Sequence, residues 1–277
     1  MAELRHGYSL SYPVESESPR GVVLDLDGPI WKNNQVSADA IDLVATLRQF
    51  SIPFAILTND CSISRASLVE DLASFSLVVD AQTLLTPSVI FAEAAVNFGI
   101  RSIAYVGSTS AAQDLQPEIS LIRQGLADAV VIGDVFDDYN REQLDYAARL
   151  ALRGVPVYAL QRKYLWSDDG QMRLDVGFWV AGFEAATATA IQTVGKPAPG
   201  AYRSALQHIG LGDESASHCW MVSDQVEPDL NGAAQFGLRT VLVSKELQNC
   251  NSLDSIVVKD LGQLSDLIIR FATSKHS

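Results

Sequence analysis

The chain has 277 residues, of which 48% are hydrophobic and 19% charged, so it is long enough for two domains and too apolar to be disordered. Its 20 basic and 33 acidic residues give a net charge of −13, which argues against a nucleic-acid partner because phosphate backbones select basic faces. Three widely spaced cysteines indicate a reducing compartment without a disulfide framework.

Short apolar runs alternate with segments of helical periodicity along the chain. The pattern begins with a buried strand at 21–27, a helix at 37–50 with Ser37 as its N-cap, and a second strand at 53–60. Further strands are predicted at 102–107, 128–133, 155–160, 218–224 and 239–244, and further helices at 86–99, 140–154, 177–190, 200–209, 228–237 and 261–273. This β-α-β-α order predicts an α/β protein with a Rossmann-like, doubly wound parallel sheet.

The first residues contain acids, prolines and serines but no long apolar run, so they resemble neither a signal peptide nor a membrane span. We therefore expect residues 1–19 to form a mobile lead segment. We also expect a cytoplasmic protein without a membrane partner.

Unusual polar residues stand where predicted strands end and in one further loop. They are Asp25 and Asp27 after the first strand, Thr58, Asn59 and Asp60 after the second, Lys196 in a "GKPAP" loop, and Ser223, Asp224 and Asp229 at and after a later strand. Ligands of parallel α/β sheets bind beyond the carboxyl ends of the strands. Converging carboxylates would repel one another, and a Mg²⁺ ion would relieve that repulsion, with waters and substrate phosphate completing its octahedron.

The spacing of Asp25 and Asp27 suits phosphoryl transfer. Alternate residues of a strand share a face, and the turn at Gly28 and Pro29 can bring the second carboxyl above the first. Asp25 can then attack phosphorus, while Asp27 protonates the leaving oxygen and later activates water. We therefore predict a small phosphorylated substrate.

The predicted site implies an insertion between its parts. If Asp25, Thr58, Lys196 and Asp224 meet in one site, residues 87–188 form an excursion of domain size. We therefore predict a core domain of residues 1–86 and 189–277 and an inserted α/β cap domain of residues 87–188. We also predict that "RKYLWSDDG", 162–170, borders the cleft.

The motifs "DLDGPIW", "LTND", "GKPAP" and "SDQVEPDLNGAAQFG" together resemble those of the haloacid dehalogenase superfamily of phosphohydrolases. The long insert is similar to the α/β cap of the p-nitrophenylphosphatase and NagD-like branch. Within that branch, "RKYLWSDDG" and neighbouring cap segments most resemble the phospholysine, phosphohistidine and inorganic pyrophosphate phosphatases. The resemblance implies Mg²⁺ as cofactor, and subunit pairing through the cap is common among similar proteins.

The resemblance also implies roles for individual residues. Asp25 would be nucleophile and metal ligand, Asp27 acid/base with its carbonyl on the metal, Thr58 and Asn59 phosphate ligands, Lys196 a ligand of phosphate and nucleophile, Asp224 a metal ligand, and Asp229 an outer-shell support. Three departures stand out, of which one is Asp60, an additional carboxylate beside Thr58 and Asn59. Pro29 occupies a position where Thr or Val is usual, and Ser223 stands where Gly commonly precedes the metal aspartate.

Alternatives remain for the function and for single residues. A receiver-type signalling protein also uses a strand-end Asp, a Thr and a Lys, but it lacks an acid/base two residues after the phosphorylated Asp. A binding protein on an inactive phosphatase scaffold is the third candidate. Asp229 could also cap the following helix, a role that is compatible with outer-shell support. The acidic run "GDVFDD", 133–138, is interpreted as a solvated loop rather than a second metal cluster.

Overall fold

A computed structural model describes residues 18–32, 35–116, 118–135, 140–168, 170–245 and 255–274. The expected lead segment lies outside the described residues up to position 17. Across the described ranges, no helix has both the length and the apolar character needed to cross a membrane.

The elements follow the predicted alternation of strands and helices. The strands are β1 Gly21–Asp25, β2 Trp31–Lys32, β3 Gln35–Val36, β4 Phe54–Leu57, β5 Leu84–Leu85, β6 Ser102–Val106, β7 Ser120–Leu121, β8 Ala129–Ile132, β9 Val157–Ala159, β10 Leu165–Asp168, β11 Gln171–Leu174, β12 Ile191–Thr193, β13 Cys219–Ser223, β14 Arg239–Val243 and β15 Ser255–Val258. The α-helices are α1 Ala38–Gln49, α2 Arg65–Ser74, α3 Pro87–Asn97, α4 Arg141–Ala151, α5 Val176–Thr187, α6 Pro199–His208, α7 Asn231–Phe236 and α8 Leu261–Ser274.

The larger sheet has six strands in the order β15-β14-β13-β1-β4-β5. β1 pairs in parallel with both β13 and β4, and β14 pairs in parallel with β13 and β15. Every residue of β1 is buried, because helices cover both faces of such a sheet and its central strands become continuous apolar runs. The predicted α/β class with a Rossmann-like parallel sheet is confirmed.

A second parallel sheet has the order β12-β9-β8-β6-β7. Its strand β8 is fully buried and belongs to a core formed with residues of α3, α4 and α5. The strands β10 and β11 form a separate antiparallel hairpin, in which Leu165 is opposite Leu174. This hairpin was not predicted, and it contains most of the "RKYLWSDDG" segment.

The chain divides into two compact units by its internal contacts. The first comprises residues 1–57, 71–84 and 202–277, and the second comprises residues 58–70 and 85–201. The sequence-based boundaries of a core and an inserted cap remain a prediction.

The predicted N-cap of the first helix is confirmed. Ser37 accepts a hydrogen bond from the Ala40 N–H at 3.1 Å and so begins α1. Thr86 accepts one from the Val89 N–H at 3.3 Å, and Pro87 is the first residue of α3. The helix predicted over 228–237 was partly wrong. The α-helix α7 begins only at Asn231, and the preceding turn, Val226–Leu230, is kinked at Glu227, which has the non-helical dihedrals φ −110° and ψ 133°.

Candidate active site

The first group of predicted site residues lies at the carboxyl end of β1, within the first unit. Asp25 is the last residue of β1, and its side chain is only 2% exposed. Asp27 lies just beyond the strand and is exposed. Asp27 belongs to a tight turn that follows the strand, in which the Gly28 N–H donates to the Trp31 carbonyl and the Trp31 N–H to the Leu26 carbonyl, both at 2.8 Å. One aspartate is therefore buried in the sheet and the other is accessible to solvent.

Asp224 packs directly against the backbone of this turn. Gly28 has φ +103°, a conformation that side-chain-bearing residues rarely adopt. A methyl group on Gly28 would lie 2.3 Å from Asp224 Oδ2 and 2.5 Å from Oδ1, which is far inside contact distance. Glycine is therefore required twice at this position, once for the dihedral angle and once to admit the carboxylate of Asp224.

A buried hydroxyl connects Asp25 with Asp229. Ser223 is fully buried at the end of β13, and its Oγ lies 3.2 Å from Asp25 Oδ2 and 2.8 Å from Asp229 Oδ2. The same oxygen accepts the Gln225 N–H at 3.0 Å. Tyr202 adds a further bond, because its hydroxyl donates to the Asp229 carbonyl at 2.8 Å. Asp229, 2% exposed, is thus fixed in a polar network at the end of β1 and β13.

The second group of predicted site residues lies in the second unit. The Asn59 side chain bonds twice to the backbone of Lys196: its Nδ2 donates to the Lys196 carbonyl at 2.9 Å, and its Oδ1 accepts the Lys196 N–H at 2.8 Å. The chain can approach this closely because Gly195 has no side chain, and a methyl group there would lie 2.4 Å from Asn59 Oδ1. Asn59 therefore holds the loop that carries Lys196.

Thr58 and Lys196 are both buried, at 0% and 2% exposure. The Thr58 N–H donates to the Leu85 carbonyl at 3.1 Å, and the Thr58 hydroxyl accepts the Asp60 N–H at 2.9 Å. A buried lysine is rare unless its charge is balanced, so the burial of Lys196 favours a binding role over a surface role. Phosphate binding by Thr58, Asn59 and Lys196 remains a prediction.

Several acidic groups surround a buried thiol in the second unit. Burial raises the pKa of Cys61 well above its usual value, and the charges of Asp60, Asp134 and Asp175 raise it further. Burial also raises the pKa of Asp175, against the effect of hydrogen bonds from the Val176 N–H and the Gln161 side-chain amide. Asp134 begins the acidic run 133–138, whose residues 136–138 lie outside the described residues.

The first group suits a magnesium ion better than a metal that needs a full set of side-chain ligands. In the part of the chain that the structure describes, no three His, Cys, Asp or Glu side chains are grouped as a metal site. Mg²⁺ needs only one or two carboxylates, with backbone oxygen, waters and substrate phosphate completing its octahedron. A magnesium site formed by Asp25, Asp224 and the Asp27 carbonyl remains a prediction.

The link through Ser223 was not identified from the sequence. Ser223 was noticed only as an unusual residue before Asp224, and its contact with Asp25 follows from strand order. In the register of β1 and β13, Leu24 is opposite Val222, and Asp25 and Ser223 are the next residues of the two strands. The neighbour of β1 could not be known from the sequence alone.

Comparisons with known proteins agree on one family. A model described as haloacid dehalogenase-like hydrolase matches residues 22–117, and a model described as HAD-hydrolase-like matches residues 193–264. The first match contains Asp25, Asp27, Thr58 and Asn59, and the second contains Lys196, Asp224 and Asp229.

Individual relatives are similar over most of the chain. A phospholysine phosphohistidine inorganic pyrophosphate phosphatase from Xenopus laevis is 25% identical over 232 residues, which cover 81% of this chain and 83% of that protein. Among solved structures, a p-nitrophenyl phosphatase from Archaeoglobus fulgidus has a TM-score of 0.80 at 22% identity, covering 90% of this chain and 99% of that one. NagD from E. coli K-12 has a TM-score of 0.78 at 20% identity, covering 89% and 98%. At these identities the two structures show a shared fold.

Proposed function

We propose that this chain, a phosphohydrolase of the haloacid dehalogenase-like family, hydrolyses a small phosphorylated metabolite or pyrophosphate with Mg²⁺ through a phosphorylated Asp25. The observation that carries the proposal is the end of β1. A buried Asp25 there is bonded to Ser223, an exposed Asp27 follows two residues later, and Asp224 packs on the turn between Asp27 and Trp31.

Asp25 is the proposed nucleophile. Its carboxylate is fixed at the end of a central strand, so little conformational freedom is lost when it attacks phosphorus. In the first step a carboxylate oxygen of Asp25 forms a bond to phosphorus as the bond to the leaving oxygen breaks. In the second step water attacks phosphorus, and the electron pair of the Asp25–phosphorus bond returns to the carboxylate.

Asp27 is the proposed acid and base. Its side chain is exposed, so it can exchange protons with substrate and solvent, whereas Asp25 is buried. It gives a proton to the leaving oxygen in the first step and takes one from the attacking water in the second. This assignment separates the enzyme from a receiver protein, in which no such group follows the phosphorylated aspartate.

The remaining roles concern charge. We propose that Lys196, with Thr58 and Asn59, binds the phosphoryl oxygens, and that Asn59 also sets the position of Lys196 through its two backbone bonds. Asp25, Asp224 and the Asp27 carbonyl would hold Mg²⁺, which supplies positive charge against the phosphate and the carboxylates. Asp229 would act on the site indirectly, through its hydrogen bond with the Ser223 hydroxyl.

The substrate class follows from the relatives' names and from the chain's own charge. The Xenopus relative is named for phospholysine, phosphohistidine and inorganic pyrophosphate, and the structural neighbours include a p-nitrophenyl phosphatase. With a net charge of −13, the chain is unsuited to a polyanionic macromolecule, so we propose a small substrate. A cytoplasmic location is part of the same proposal.

A phosphate-release assay tests the proposal. The purified protein is incubated with p-nitrophenyl phosphate, pyrophosphate and a panel of phosphorylated metabolites, with Mg²⁺ or with EDTA. We expect turnover that needs Mg²⁺ and that is lost in Asp25→Asn. The matched control is Asp213→Asn, which removes a carboxylate whose Oδ2 is paired with Arg203 Nε at 2.9 Å on the surface, and it should keep full activity.

The alternatives predict different results in the same assay. An inactive binding protein would release no phosphate from any compound, either with Mg²⁺ or with EDTA. A receiver-type protein would form a long-lived aspartyl-phosphate without turnover. If Asp25→Asn retained wild-type turnover, the nucleophile would be assigned wrongly.

A further inference from the structure

The hydroxyl of Ser223 lies between two carboxylates. Its Oγ is within hydrogen-bond distance of Asp25 Oδ2, at 3.2 Å, and of Asp229 Oδ2, at 2.8 Å. The Gln225 N–H donates to the same oxygen at 3.0 Å. Ser223 itself is completely buried, so water does not compete for this hydroxyl. A serine in the equivalent position of a plain strand end would have no reason to contact two acids.

A hydroxyl group has one hydrogen, so the two carboxylates compete for it. The hydrogen is attracted most strongly to the acceptor with the greater negative charge. The charge on Asp229 is constant through the proposed reaction, whereas the charge on Asp25 changes twice. Asp25 is an anion before attack, a neutral acyl oxygen while it carries the phosphoryl group, and an anion again after release.

We propose that Ser223 is a positioning residue for the second half of the reaction: its hydroxyl stabilises the Asp25 carboxylate as the phosphoryl group leaves. The inference rests on the proposed function, because it requires a phosphorylated Asp25. As water attacks phosphorus and the Asp25–phosphorus bond breaks, the electron pair of that bond returns to Asp25. The Ser223 hydrogen bond strengthens as that charge develops, so it lowers the barrier to release.

The bond acts in the opposite direction on the first half of the reaction. A hydrogen bond to an anionic nucleophile stabilises the ground state and does not favour attack. Loss of the Ser223 hydroxyl should therefore slow release of phosphate from Asp25 without slowing transfer to Asp25. Hydrogen bonds to charged acceptors are roughly twice as strong as those to neutral ones, which corresponds to a change in release rate of about tenfold.

The two half-reactions can be measured separately with p-nitrophenyl phosphate. Stopped-flow release of p-nitrophenol in the first turnover reports transfer to Asp25. Decay of the acid-quenched, radiolabelled phosphoenzyme after a chase with unlabelled substrate reports release from Asp25. Ser223→Ala and Ser223→Gly both remove the hydroxyl. Ser255→Ala is the matched control, because it removes a buried hydroxyl of the same sheet that is bonded to Thr240.

We expect the phosphoenzyme of both Ser223 variants to decay about tenfold more slowly than wild type, while the first turnover changes by less than about threefold. The Ser255→Ala control should change neither rate. Equal slowing of both half-reactions, or an unchanged decay rate, would overturn the role of Ser223 and leave the proposed function intact. A wild-type protein that turns over without any phosphoenzyme, and whose Asp25→Asn variant is active, would instead overturn the proposed function.

Discussion

Replacing Gly28 by alanine separates the two demands that this position makes on the chain. The first is backbone strain, since φ is +103°. The second is contact, since the new methyl group would lie 2.3 Å from Asp224 Oδ2. Gly237 provides a matched control in the same unit, because its φ is +105° and a methyl group there would meet only the Ala216 Cβ, at the ordinary distance of 3.8 Å.

The two variants should both lose stability, but they should differ in activity. Strain of this kind costs about 1–3 kcal/mol in the free energy of unfolding, and both Gly28→Ala and Gly237→Ala incur it because both residues have a positive φ. To restore ordinary contact, about 3.5 Å, the Asp224 carboxylate must move by about 1 Å. A displacement of that size in a reacting site costs roughly a hundredfold in rate.

Urea unfolding and phosphate release at several Mg²⁺ concentrations measure both effects. We expect Gly28→Ala to lose about a hundredfold in kcat/KM and to need more Mg²⁺ for half-maximal activity, because Mg²⁺ tolerates little distortion of its ligands. Gly237→Ala should show wild-type kinetics in its folded fraction. Identical kinetics in the two variants would refute the placement of Asp224 in the site.

Three further predictions concern Asn59, the thiols and the exposed hairpin. Asn59→Ala should lower kcat/KM at least tenfold and cost about 2 kcal/mol of stability, because it removes both hydrogen bonds to the Lys196 backbone. Asn97→Ala loses one exposed hydrogen bond to the Glu93 carbonyl and should change neither quantity. Equal kinetics of the two variants would exclude a positioning role for Asn59. In a Cys250→Ser background, Cys61 and Cys219 should resist a thiol reagent at pH 8 until the protein is unfolded, because both thiols are buried. Burial also raises the pKa of Cys219 to about 11, which leaves roughly one molecule in a thousand with a Cys219 thiolate at pH 8. Fast labelling of the folded protein would contradict this. If subunits pair through the cap, the double variant Leu165→Ser, Leu174→Ser should sediment as a monomer, because both side chains are exposed on β10–β11. The control Phe98→Ser, which also changes an exposed side chain, should leave sedimentation unchanged. An unchanged oligomeric state of the double variant would exclude this surface.

The features that were predictable from sequence are those set by neighbouring residues. Ser37 and Thr86 accept bonds from N–H groups three residues away, so the capping signal and the bond are in the same short segment. The prediction of β1 is likewise based on a short segment, because a strand that is buried on both faces is a continuous apolar run. The hairpin β10–β11 is hard to predict because its strands are only four residues long, so the polar and apolar alternation of residues 171–174 is too short to be distinctive.

The site depends on contacts between residues that are distant in the chain, and there the sequence is informative only about residue types. Asn59 and Lys196 are 137 positions apart, and their two bonds depend on the meeting of two loops that no periodicity relates. Asp25 and Ser223, 198 positions apart, meet because β13 is the parallel neighbour of β1. A serine at the end of β13 is unremarkable without that strand order, and with it the hydroxyl lies against the proposed nucleophile. Residue types thus predict which chemistry is available, whereas strand order determines which side chains can modulate it, and Ser223 belongs to the second class.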